Sequence, residues 1–210
     1  MRLIYGMGTE MDMATLLGSP LFSEELGIRI EKNTDAELFK WFLASILFGA
    51  RISETIARNT YGSFKKRGLL TPARIISAGW DYLVNPVMRE GGYVRYDGKT
   101  SSKMLKICGK LMREYGGSLK KLHGAAKDSA DLEARLLDFY GIGPVTVNIF
   151  LRELRPFWEK ADPEPLPAVK ETARRLKVDL DCCERKSLDF ARLEAGLIRM
   201  RKIAHRPAVT

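Results

Sequence analysis

Two groups of residues in this chain have the types and spacing for chemistry. The first is Tyr140-Gly141-Ile142-Gly143-Pro144-Val145-Thr146, where two glycines two residues apart separate two segments of helical pattern. A glycine pair lets the backbone take positive φ and approach another surface closely. Pro144 suits the first position of the following helix, where the donor it lacks would have gone unpaired. Free amide donors at the positive end of a helix suit a phosphate oxygen, and contacts of this kind hold a duplex without reading its sequence. The same residues also fit an ordinary helix-to-helix connection, with glycine ending one helix and proline starting the next. The second group is Asp162 and Glu164, carboxylates flanked by prolines in the stiff loop over residues 155–167. Their plainer reading is a pair of solvated loop acids.

A cationic surface accompanies them. At 100° per residue, Lys99, Lys103, Lys106, Lys110 and Arg113 fall within roughly a quarter of a helix circumference, while Met104, Ile107, Cys108, Leu111 and Tyr115 occupy the other side. A solvated amphipathic face would account for the pattern, but a row of cations with no acid interleaved is more than solubility requires. Lysine plus arginine total 35 against 26 aspartates and glutamates, a net charge of +9 that favours polyanionic partners, nucleic acid before an acidic membrane surface.

The elements that must position these residues are helical. Leu132, Leu136 and Phe139 precede the glycine turn at helical spacing, and Val147, Ile149, Phe150, Leu151 and Leu154 follow it. Asn33-Thr34-Asp35 offers an N-cap to a segment whose apolar residues, Leu38 to Phe48, surround the helix and mark it as central and buried. Residues 51–66 read as a second helix, with Ile52, Ile56 and Tyr61 inward. Thr71-Pro72 starts a short third helix, the stripe occupies 100–115, Ala168 to Lys177 resumes helical spacing, and 188–203 packs through Leu193, Leu197 and Ile198. The fold class is all-α.

Gly141-Ile142-Gly143-x-x-Thr146-x-Asn148 resembles the helix-hairpin-helix of the endonuclease III superfamily of DNA glycosylases, with Tyr140 where that family usually has proline and Val147 where it has alanine. Trp41 to Ser53 is similar to the family's buried second helix and the loop after it, and Gly91 to Lys103 to the segment before the hairpin's preceding long helix. The resemblance covers residues 35 to about 178, with the hairpin its only highly specific motif. It implies a two-lobed fold with an interlobe cleft: a helical barrel lobe over 35–155 ending in the hairpin, and a second lobe of 1–34 with 156–210.

The resemblance also implies a reaction. Breaking the bond between base and deoxyribose builds positive charge on the sugar, and a carboxylate near the anomeric carbon stabilises that charge or activates water. The family places this aspartate at the start of the helix after the hairpin. Direct alignment puts Leu166 there, and a shift within the loop brings in Asp162, the shorter acid and first candidate, or Glu164 as the alternative. Bifunctional members carry a Schiff-base lysine two residues after the second glycine. Here that position is Val145, so lyase activity is not expected and water is the acceptor. Lys170 is the lysine the next helix offers for that role, its plainer reading being a surface residue.

DNA contacts are expected from Gly141, Ile142, Gly143, Val145 and Thr146, from Lys103, Lys106, Lys110 and Arg113, and from Arg51, which would fill the gap left by an extruded base unless it is simply a surface arginine. Tyr93 and Tyr96, in a loop of glycine and charge, are the candidate base pocket; Trp41 reads as core.

Cys108, Cys182 and Cys183 form neither a disulfide framework nor a zinc pattern, and the four-cysteine set that holds an iron-sulfur cluster in many members is missing, so no cofactor and no metal is expected. The start of the chain lacks the apolar core of a secretory signal, and the best apolar run, Trp41 to Ala50, is ten residues, short of a membrane span. The expectation is an intracellular, cytoplasmic monomer whose partner is double-stranded DNA. Two other classes fit the residues: a catalytically inert duplex-binding relative, and a helical protein-interaction module whose glycine hairpin merely packs.

Overall fold

In the computed structural model the described residues are 2–3 and 11–203, with side chains over 13–201. Residues 1 and 4–10, on which the argument about secretion rests, lie outside them. The architecture is helical apart from a two-residue antiparallel ladder of β1 (Arg2–Leu3) with β2 (Met11–Asp12). The helices are α1 (Met13–Leu17), α2 (Phe22–Glu25), α3 (Asp35–Phe48), α4 (Glu54–Lys66), α5 (Pro72–Tyr82), α6 (Asp97–Tyr115), α7 (Leu119–Ala125), α8 (Ser129–Leu137), α9 (Pro144–Arg152), α10 (Pro167–Leu176) and α11 (Leu188–Ile203). No described helix is long and apolar enough to cross a membrane. The chain divides into two compact units, Ile28–Phe150 and Met1–Gly27 with Leu151–Thr210; the sequence reading places the boundaries at 34/35 and 155/156.

The unit Ile28–Phe150 is built around α3. Thr34 caps it, its hydroxyl accepting from the Glu37 amide, as the Asn33-Thr34-Asp35 signal predicts. Apolar residues surround α3, so it has no solvent stripe, and Leu38, Trp41, Leu43 and Leu47 are all buried. The Trp41 indole donates to the Phe150 carbonyl at 3.0 Å. Phe42 meets Phe139 and Phe150 edge-on, with centroids 5.9 and 5.0 Å apart. One residue of the central helix thus holds both arms of the glycine turn. Each such aromatic pair contributes about 0.5–1.5 kcal/mol beyond area burial.

Two helices differ from the sequence reading, one in its start and one in its length. α4 begins at Glu54, because Ser53 rather than a residue before Arg51 supplies the cap and accepts from the Ile56 amide; Arg51 is left in the connecting bend. α5 is capped by Thr71 as expected, yet it runs on to Tyr82 across a break at Gly79, whose φ of 75° an L-residue rarely adopts.

In the other unit, Leu16 of α1, Val169, Ala173 and Leu176 of α10, Val178, and Leu193 and Leu197 of α11 form one apolar cluster. Several of the unit's charged side chains are engaged. Arg192 and Arg199 pair with Glu24 and Glu25 at 2.7 and 3.0 Å. The fully buried Glu153 accepts from the Phe22 and Ser23 amides at 2.9 and 3.0 Å, placing a carboxylate at the positive end of α2.

Candidate functional site

The glycine turn is formed as the local residues dictate. α8 ends at Leu137, the Ile142 amide donates to the Phe139 carbonyl at 3.0 Å, and Gly141 takes a φ of 72°. Pro144 opens α9, and the first helical bond runs from the Val147 amide to the Gly143 carbonyl at 3.1 Å. The amides of Val145 and Thr146 precede that bond and have no acceptor within the helix. Ile142 and Thr146 are buried, whereas Tyr140, Gly141, Pro144 and Val145 are exposed and Gly143 is partly so. The turn therefore anchors itself inward through Ile142 and Thr146 and presents backbone outward at its glycines.

The cationic stripe of α6 lies on this turn, a placement helical spacing alone does not reveal. The stem of Lys103 packs on Gly141, where an added Cβ would sit 3.1 Å from Lys103 Cδ. Lys106 Nζ stands 3.9 Å from the centroid of the Tyr140 ring, a cation–π contact. Lys110 donates to the Asp138 carbonyl at 3.1 Å and pairs with the Asp138 carboxylate, with Glu114 3.8 Å away. The stripe is thus not free of acids as expected: Lys110 braces the last residue of the first hairpin arm. Arg113 is exposed, and Lys99 is exposed one turn before Lys103. Burial pushes the Lys103 ammonium below the ordinary lysine range.

Arg51 is exposed in the bend after α3, and its neighbour Gly49 touches the hairpin. A Cβ on Gly49 would stand 2.1 Å from Thr146 Oγ1 and 3.1 Å from Thr146 Cα. Gly49→Ala should therefore destabilise the protein by about 1–3 kcal/mol through overpacking, read by thermal denaturation. Thr146→Ala should recover part of that loss, since the hydroxyl is the nearest atom.

The two loop tyrosines separate. Tyr93 is buried and its hydroxyl shares a 2.8 Å hydrogen bond with Thr100, so its ring belongs to the interior. Tyr96 is exposed, with a left-handed φ of 70°.

In the unit containing α10 and α11, the acids sit in a cluster of arginines. Arg155 is completely buried; its guanidinium pairs with the buried Glu194, donates to the Pro163 carbonyl, lies 3.4 Å from Asp162, and stacks 5.0 Å over Phe190. Arg185 reaches Asp162 at 2.7 Å and Glu164 at 2.8 Å, and Lys170 reaches Glu164 at 2.9 Å. The Lys170 hydrogen bond, with Arg185 adding to it, holds Glu164 below the usual carboxylate range. α10 begins at Pro167 with Leu166 as its cap residue, so neither acid stands at the helix start. Asp162 is the more enclosed of the two, its side chain 27% exposed against 71% for Glu164. Beside them is a cavity of about 290 Å³ lined in part by Glu164, Lys170, Cys183, Arg185 and Phe190.

Sequence reasoning missed Arg155, Glu194 and Arg185. The available signal was a charge inside apolar runs: Glu194 stands next to Leu193 and Ala195, and Arg155 follows Leu154. A charged residue in such a position is buried only when paired. No family model matches the chain, and no curated protein matches it.

Proposed function

We propose that this chain is a DNA repair glycosylase of helix-hairpin-helix type, with the two-lobed fold of the endonuclease III superfamily, that removes a damaged or mismatched base without cutting the strand. The observation that carries the reading is the convergence of Lys103 and Lys106 on an exposed glycine turn whose first helical amides have no internal acceptor. Amide donors and ammonium groups on one small surface suit successive phosphates of a DNA strand. Asp162 supplies the carboxylate. It stabilises the cationic sugar as the bond to the base breaks, or takes a proton from the water whose oxygen bonds to C1′; the base leaves with the bonding pair and is protonated. Val145 is exposed and cannot form a Schiff base, so the product is an intact strand with an abasic site.

Duplexes each carrying one altered base, assayed for abasic sites with and without alkali, test the reading. Base release revealed only by alkali is the expected result, and strand cleavage without alkali contradicts the monofunctional assignment. The engagement of both acids by Arg155, Arg185 and Lys170 favours a second reading, an inert duplex-binding relative. Tight duplex binding with no release from any lesion would select it, and no duplex binding at low salt would leave the protein-interaction module.

Two binding predictions follow from the turn. Lys106→Gln should weaken duplex binding and lower the slope of log affinity against log salt by about one, whereas Lys110→Gln, whose charge is taken up by Asp138, should change the slope less. Affinity should also fall with rising pH below the range where ordinary lysines titrate. The depressed pKa of Lys103 is raised by a phosphate partner, so binding is strongest below the free value and weakens as pH climbs through it. Lys103→Arg should flatten that limb.

A further inference from the structure

Beyond the hairpin, two aromatic rings stand near the N-terminal end of α6: Trp80, which the hairpin contacts do not use, and Tyr96, which the resemblance would place in a base pocket. The break at Gly79 turns α5 so that the Trp80 indole lies across Gly98: its Nε1 donates to the Gly98 carbonyl at 3.0 Å, and a Cβ on Gly98 would come within 3.0 Å of the ring. Two residues before Gly98, Tyr96 is held outward in the left-handed region, its ring flanked by Arg95 at 5.1 Å and Lys99 at 5.8 Å. Both rings are about half exposed, Trp80 at 46% and Tyr96 at 51%. The nearby acid Asp97 is engaged by the Gly98 amide at 2.7 Å.

We infer that Trp80 and Tyr96 form a stacking platform for unpaired nucleobases, so that the protein binds a junction where duplex passes into single strand. The inference rests on the DNA-binding part of the function proposed above. Bases inside a duplex are already stacked and offer no free face, so exposed rings add nothing to duplex affinity; an unpaired base stacks on them whatever its identity. Trp80 is held by its hydrogen bond to Gly98, and the Tyr96 ring is bracketed by Arg95 and Lys99. From that pair the row of cations continues through Lys103 to Lys106 at the hairpin, about 15 Å of helix from Tyr96. That charge selects a nucleic-acid strand over an apolar protein face.

Tryptophan emission offers a direct readout, since Trp41 and Trp158 are buried and Trp80 alone among the three tryptophans is exposed. The experiment compares a blunt duplex with the same duplex bearing a short oligothymidine overhang. The overhang should tighten binding roughly tenfold and quench Trp80 emission. Trp80→Ala should remove most of the gain while blunt-duplex affinity stays at the wild-type level, and Tyr96→Ala should remove most of the gain as well. The Tyr96 variant covers the case in which losing the Trp80 contact to Gly98 disturbs folding. Blunt binding with no gain from the overhang, or a gain that survives in both variants, overturns the platform and leaves the duplex reading intact. Failure to bind either DNA overturns both.

Discussion

On the proposed glycosylase reading, Asp162→Asn should lower base release by roughly a hundredfold to ten-thousandfold while duplex affinity stays close to wild type. The loss is expected in the chemical step because a neutral amide neither stabilises a developing oxocarbenium nor accepts a proton from water. Single-turnover kinetics on a lesion-bearing duplex reads that step alone. Glu164→Gln is the control: its carboxylate is largely exposed and tied to Lys170, and its loss should change the rate by less than tenfold. If the two variants exchange behaviour, Glu164 is the acid; if neither affects release, the loop plays no part in the chemistry. Arg185 contacts both carboxylates, so Arg185→Ala should alter release as well. Arg185→Lys, which keeps the charge but not the fork, should restore part of it.

The largest stability effect is expected at Glu194. Its carboxylate and the Arg155 guanidinium are both fully buried, and Glu194→Leu leaves that guanidinium without its most enclosed partner. Breaking such a pair costs about 3–5 kcal/mol, a fall in Tm on the order of 10 °C for a chain of this size. Removing both charges is different, since apolar replacements of similar volume are often neutral or stabilising. The double variant Arg155→Met with Glu194→Leu should therefore regain most of the lost Tm. It should not regain base release, because Arg155 also holds the Pro163 carbonyl and lies against Asp162, fixing the loop that carries the proposed acid. A double variant that recovers both stability and activity would show that the buried pair has no part in positioning Asp162.

Much of this was legible in local residue pattern. The caps at Thr34 and Thr71, the buried character of α3, the helical pattern on either side of the turn, and Pro144 at the head of α9 all depend on neighbours within a few residues. Other features lay beyond that reach. Tyr93 and Tyr96 look alike in sequence, yet one is interior and bonded to Thr100 while the other stands in solvent. The α6 stripe was readable as a face, but not that Lys103 packs on Gly141, that Lys106 covers Tyr140, or that Lys110 is occupied by Asp138.

From the sequence alone came an all-helical chain with a basic face, a glycine turn between two helices and two carboxylates in a proline-rich loop, because composition, periodicity and turn chemistry act over short stretches of backbone. Only the tertiary structure decided that the basic face meets the turn and that Asp162 rests between Arg155 and Arg185. Those contacts join residues from separate elements. Whether a charge is solvated, paired or buried is set by the side chains that folding brings against it, and spacing along the chain does not encode them.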